Sequence, residues 1–231
     1  MMGPGILILP FSRLSEFETE KEYRVHAHWE EKARAARSEQ KRIQEAAAGV
    51  LAARLEEILG RSLEIGIGEH GKPFARTSGK TVYFNISHTK GLAVLAYSEN
   101  TEVGVDTEQI RKAPEKIADR FFTGEERDFI REDTEDGKDA ERFFRIWTAK
   151  EACMKFSGIG LLLSPERISL KGLSCGNGPD DLIIFRALID GGGMRSVSLT
   201  QHLFQTGPDD RYVITAAWGE CLSEPLKIDI L

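Results

Sequence analysis

Several things are scarce in this 231-residue chain, and each scarcity removes a class of protein. Cysteine occurs three times, at Cys153, Cys175 and Cys221, an odd number without metal-ligand spacing. That excludes a disulfide scaffold and a cysteine zinc site, and fits reduced thiols in a cytoplasmic protein. No apolar run approaches the roughly 20 residues of a spanning helix, so no membrane association is expected. The N-terminal MMGPGILILPF has an apolar core of about four residues and no basic flank, too little for a secretory signal. Ile6–Leu9 reads instead as a first β-strand. Basic charge is not in excess. Thirty-one Lys+Arg against 37 Asp+Glu leave −6 at pH 7, which excludes a nucleic-acid binder steered by bulk charge. The five histidines form no zinc pattern. His26 and His28, two apart, point to different faces of a helix and read as exposed surface residues.

Enough is present for a globular core: 41% hydrophobic and 29% charged residues. The acidic excess is uneven. Residues 1–105 carry 14 basic and 14 acidic side chains, so the whole deficit falls in 106–231. Much of it is Glu132–Glu141 (EDTEDGKDAE), six acids and one lysine, which reads as a solvated loop between helices.

Periodicity orders the elements. One helical stretch, broken at most once, spans Glu16–Gly60, with Val50, Leu51, Leu55, Ile58 and Leu59 on an apolar stripe and Gly60 as its stop. Short β-rich runs follow at Leu63–Ile67, Val82–Ser87, Leu92–Tyr97 and Val103–Thr107. Helices return at Pro114–Phe122, Glu125–Arg131 and Ala140–Ser157. Strands close the chain at Ile168–Lys171, Leu182–Ile189, Ser196–Leu203 and Tyr212–Trp218, with a hairpin suggested by Asp190-Gly-Gly-Gly. Runs of one type followed by runs of the other predict an α+β fold with antiparallel sheets. Two halves of similar element order, 1–105 and 106–231, are expected, although no residue-level repeat is visible. Gly66-Ile-Gly68-Glu-His-Gly71 matches a dinucleotide fingerprint after a strand. Lys72-Pro73 follows, no helix opens, and the pyrophosphate would find no donor cluster.

The chemistry-bearing residues lie around the middle of the chain. In Val103-Gly-Val-Asp106-Thr-Glu108, strand alternation projects Asp106 and Glu108 together. Paired carboxylates repel unless a cation joins them, and oxygen ligands suit Mg²⁺. The alternative is a strand edge with two solvated acids. Some forty residues on, Trp147, Glu151 and Lys155 share a helical stripe at i, i+4 and i+8. They read either as a packed tryptophan beside a surface ion pair, or as a carboxylate and a cation brought to the Asp106/Glu108 site. Lys72, in a turn, and Ser87-His88, at a strand end, are phosphate-contact candidates.

Together these pieces resemble the 4'-phosphopantetheinyl transferases of the Sfp type. That family's signature is G-[VI]-D, a gap of about forty residues, then [FW]-[CST]-x-K-E-[AS]-x-x-K. Gly104-Val-Asp106 and Trp147-Thr-Ala-Lys150-Glu151-Ala-Cys-Met-Lys155 meet it in full. Gly71-Lys72-Pro73, Asn85-Ile-Ser87-His88 and Arg120-Phe-Phe122 with Glu125-Glu126 match in order. The resemblance implies two similar halves packed as a pseudo-dimer, each a small antiparallel sheet with helices, and coenzyme A in the cleft between them. It implies transfer of the phosphopantetheine arm of coenzyme A to a serine of an apo carrier protein of acyl, peptidyl or polyketide type, with release of 3',5'-ADP. Asp106, Glu108 and Glu151 would hold Mg²⁺, Glu151 would take the serine proton, and Lys155 would stabilise the leaving phosphate. Ser87 with His88 would hold the 3'-phosphate, Lys72 would contact the nucleotide, and Lys150 would add a second phosphate contact. A cytoplasmic monomer is expected. Arg120, Phe121 and Phe122 are docking candidates for the carrier, the alternative being that both phenylalanines are core. The carboxylates alone also permit a Mg²⁺-dependent hydrolase of the coenzyme A diphosphate. A non-catalytic module that binds coenzyme A or a carrier is a third reading.

Overall fold

The structure, a computed structural model, describes residues 3–14, 24–68, 70–77, 79–131, 138–172, 183–190, 194–219 and 226–231. It divides the chain into two compact units, Met1–Thr101 with Ser223–Leu231, and Glu102–Leu222.

The first unit runs β1 (Gly5–Pro10), α1 (Ala27–Ala35), α2 (Glu39–Leu59), β2 (Glu64–Ile67), β3 (Pro73–Thr77), β4 (Lys80–Thr89) and β5 (Leu92–Ser98). The second runs β6 (Val103–Gln109), α3 (Glu115–Phe121), α4 (Gly124–Arg131), α5 (Asp139–Ser157), β7 (Ile168–Lys171), β8 (Ile183–Asp190), β9 (Met194–Gln205) and β10 (Arg211–Trp218). β11 (Lys227–Ile230) returns to the first unit.

The two sheets share one topology. The first has the order β11-β1-β5-β4-β3-β2 and the second β6-β10-β9-β8-β7. In each, a first strand leads to a long helix and then to a four-strand meander whose last strand pairs antiparallel with the first. All pairings are antiparallel except β1 with β11, which is parallel. The fold is therefore α+β, with two antiparallel-rich sheets each packed against helices. The repeat shows in strand order, where only the hydrophobic pattern must be kept, and not in residue identity. Division at 105/106 leaves the last residues with the second half, whereas β11 extends the first sheet beyond β1.

Local chemistry explains the helices. Ser38 Oγ accepts from Lys41 N at 3.2 Å and caps α2, which is where the expected 16–60 helix breaks within the described residues. Gly60, at φ 64°, ends α2 in the left-handed conformation that glycine adopts without strain. Ala47, Val50, Leu51 and Leu55 bury their face of α2 with Leu7, Leu9, Phe84 and Leu95. In the second unit, Phe143, Ala149, Ala152 and Phe156 of α5 pack with Leu199, Val213 and Ala217.

Other sequence expectations find their outcome here. The glycine-rich G-x-G-x-x-G is the β2–β3 hairpin, with Gly68 N donating to Lys72 O at 2.9 Å and β3 starting at Pro73. His26 and His28 are half-buried rather than exposed. His26 Nδ1 accepts from His28 N at 3.3 Å as the cap of α1. The acidic run is also not all loop. Its last residues begin α5, and Glu141 is buried. Residues 132–137, glycines 191–193, Cys175 and Cys221 lie outside the described residues, while Cys153 is a buried thiol. Among the described residues no helix is long and apolar enough to cross a membrane.

Candidate active site

β6 lies at one end of the second sheet and sends Gly104, Asp106 and Glu108 to one face. α5 lies on that face in unusually close approach. A Cβ placed on Gly104 would sit 2.2 Å from Ala152 O and 2.4 Å from Phe156 N, both helix backbone atoms. Only a residue without a side chain lets helix and strand meet there. The approach carries Lys155, one turn beyond Glu151, onto the strand: its Nζ donates to Asp106 Oδ1 at 2.6 Å. Asp106 is buried and Lys155 half-buried.

Glu151 is half-buried in the same place. Burial holds its carboxyl above the usual carboxylate range, and the negative charges of Asp106 and Glu108 push it the same way against the pull of Lys155. The structure thus brings Asp106, Glu108, Glu151 and Lys155 within electrostatic reach of one another. Glu108 Oε2 accepts from Arg111 Nη1 at 2.8 Å. Among the described residues no three His, Cys, Asp or Glu side chains converge on one point that could hold a metal ion. The donor chemistry still fits a hard divalent cation. The three carboxyls offer only oxygen, and their mutual repulsion is what a cation would relieve.

Lys150 requires a correction. It is 0% exposed, with Nζ 2.6 Å from Ile168 O, 3.1 Å from Pro165 O and 3.0 Å from Glu126 Oε2. An ammonium so enclosed offers nothing to a phosphate, so its place in the motif is structural. Burial lowers its pKa, and Glu126 opposes the shift. Glu126 is a hub. Its Oε2 accepts from Thr123 N at 2.8 Å, and Thr123 Oγ1 accepts from Glu126 N at 3.2 Å, a reciprocal capping box at the start of α4. Its Oε1 accepts from Leu170 N of β7 at 3.3 Å.

Trp147 is a packing residue, its ring centroid 6.3 Å from Phe121 and 6.4 Å from Phe122. Phe122 is core. Phe121 is half-buried, with the Arg120 guanidinium 4.9 Å above its ring. A docking patch built on both phenylalanines is thereby reduced to Phe121 and Arg120.

In the first unit, Lys72 is half-buried in the β2–β3 turn, and Ser87 and His88 are consecutive in β4. Strand alternation sends Ser87 and His88 to opposite faces, with Ser87 buried and His88 exposed. The strand therefore does not deliver both side chains to one phosphate.

Sequence reasoning missed a buried polar network behind the site. Arg145 of α5 donates to Glu141 Oε1 at 3.1 Å and to Gln201 Oε1 at 2.9 Å. Gln201 Nε2 donates to Arg145 O at 2.9 Å and Thr215 Oγ1 at 2.8 Å, and Thr148 Oγ1 lies 2.7 Å from Thr215 Oγ1. Thr215 is the cross-strand partner of Asp106. Only the i, i+4 spacing of Glu141 and Arg145 hinted at any of this.

Residues 102–217, which include Asp106, Glu108, Glu151 and Lys155, match the model of the 4'-phosphopantetheinyl transferase superfamily. The Synechocystis protein slr0495 is 28% identical over 186 residues, 78% of this chain and 71% of its own length. The 4'-phosphopantetheinyl transferase HetI of Nostoc is 34% identical over 118 residues, 46% of this chain and 49% of its own. The 4'-phosphopantetheinyl transferase gsp of Aneurinibacillus migulanus is 36% identical over 95 residues, 41% of this chain and 38% of its own. The chain thus spans half or less of the length of the last two curated relatives. With half of its residues matched, the four carboxylate and lysine residues of β6 and α5 among them, the chain belongs to the 4'-phosphopantetheinyl transferase superfamily.

Proposed function

We propose that this chain is an Sfp-type 4'-phosphopantetheinyl transferase, acting as a cytoplasmic monomer. It would move the phosphopantetheine arm of coenzyme A to a serine of an apo carrier protein. The observation that carries the reading is the Asp106–Glu108–Glu151–Lys155 cluster at the β6–α5 approach. The serine oxygen forms a bond to the phosphorus of the pantetheine arm, the pyrophosphate P–O bond breaks, and 3',5'-ADP leaves.

Serine is a poor nucleophile at its own pKa, so a nearby carboxylate that accepts its proton accelerates attack. Glu151 would be that carboxylate: it is half-buried on the face of α5 that approaches β6, one turn before Lys155. Lys155 would place its ammonium against the charge that develops on the leaving phosphate, moving off Asp106 to do so. Asp106, Glu108 and Glu151 would hold Mg²⁺. When bound, that ion would neutralise the pyrophosphate oxygens. Lys72 and exposed His88 would contact coenzyme A phosphates, whereas Ser87, buried on the opposite face of β4, would not share the phosphate that His88 meets.

The test is a mass measurement on a panel of apo carriers incubated with coenzyme A and Mg²⁺. A gain of about 340 Da, the transferred arm, is expected on at least one carrier. Release of 3',5'-ADP without a carrier would identify a hydrolase, and binding without turnover a non-catalytic module. Asp106→Ala is expected to abolish transfer, and unchanged turnover would refute the assigned site.

A further inference from the structure

Each β6 carboxylate at the site already meets a cation of the same unit. Lys155 holds Asp106 at 2.6 Å, and Arg111 Nη1 holds Glu108 Oε2 at 2.8 Å. Arg111 lies three residues past Glu108, outside the G-[VI]-D and W-x-x-K-E motifs. Three contacts fix it. Besides Glu108, Nη1 donates to Gln109 O at 3.1 Å, and the guanidinium carbon stands 4.9 Å from the centroid of the Phe144 ring on α5.

An exposed i, i+3 pair is ordinarily weak, because two long side chains must be ordered for it. Stacking on a buried ring and a second bond to a carbonyl order this guanidinium beforehand. Its side chain is 54% exposed, so it can leave Glu108 without opening the core. We propose that Arg111 is a resident counterion of the carboxylate site, occupying Glu108 in the metal-free protein and releasing it when a divalent cation is held. The inference rests on the assignment of Asp106, Glu108 and Glu151 to Mg²⁺.

The physics is competition. A guanidinium and a divalent cation both seek Glu108 Oε2, and a positive charge beside the site opposes a second one. The probe is Mn²⁺ alone, titrated into the full chain without coenzyme A and read by the loss of the free-ion electron paramagnetic resonance signal. Arg111→Gln is expected to bind Mn²⁺ about three- to tenfold more tightly than the parent, from the removal of one nearby positive charge. Arg111→Lys keeps the charge and is expected to stay closer to the parent than Arg111→Gln. Equal or weaker binding by Arg111→Gln would overturn the proposal. A Mn²⁺ affinity that Asp106→Asn leaves unchanged would overturn the carboxylate site itself, and the Arg111 assignment with it. Thermal melts of both Arg111 variants within a few degrees of the parent are expected, since the position is on the surface.

Discussion

Gly104→Ala tests the geometry most directly. The new methyl carbon would stand 2.2 Å from Ala152 O, 2.4 Å from Phe156 N and 2.9 Å from the Phe156 Cα. All three are backbone atoms of α5, so no rotamer change relieves the clash. Restoring ordinary contact requires α5 to lift from β6 by about 1 Å. Overpacking of this kind costs about 1–3 kcal/mol or somewhat more. In a chain of this size that lowers the melting temperature by roughly 2–4 °C per kcal/mol. The lift also carries Glu151 and Lys155 away from Asp106, to which Lys155 is bonded at 2.6 Å. A misplacement of about 1 Å at a reacting centre costs on the order of 10²-fold in rate. Transfer to an apo carrier, followed by mass spectrometry well below the melting temperature, should therefore fall about 100-fold while the protein remains folded. Gly124→Ala is the control, since a Cβ there meets nothing within 4 Å. Wild-type turnover and an unshifted melt for Gly104→Ala would refute the claim that this glycine sets the helix–strand distance.

Glu151→Gln should lower turnover about 10²- to 10⁴-fold if the carboxylate is the base. Its stability effect has a definite sign. The folded-state pKa lies above the usual carboxylate value, so this group's contribution is present at low pH and is lost as pH rises from that value through the raised one. Metal-free Glu151→Gln is therefore expected to gain stability over the parent at pH 7 but not below pH ~4, as thermal melts would show; equal differences at both pH values would contradict it. Lys150→Met leaves Glu126 buried without its countercharge and should cost about 3–5 kcal/mol in denaturant unfolding. Adding Glu126→Gln should cost less than the sum of the single changes, and strict additivity would count against the buried pair.

Much of the site was legible because it rests on local periodicities. Strand alternation alone puts Asp106 and Glu108 on one face, and helical spacing puts Glu151 and Lys155 on one stripe. Neither periodicity places Lys150, whose partners come from α4 and from the stretch around β7. Its role is a tertiary fact, so a motif lysine read as a phosphate contact proves to be a buried ion pair. Ser87 and His88 show the converse. They adjoin in sequence, yet the pleat separates their side chains.

By itself, then, the order of residues determined the α+β class, most of the elements and the strand and helix that carry the acids, while the short strands β3 and β11 escaped it. Apolar spacing and capping residues act over a few positions and can be read there. Tertiary structure decided that β11 lies beside β1, more than two hundred residues away, because backbone pairing leaves no mark in a four-residue strand. It decided also which charged residues meet solvent and which meet each other. For Lys155 and Asp106 that choice depends on how closely α5 approaches β6, and a single hydrogen at Gly104 sets the distance.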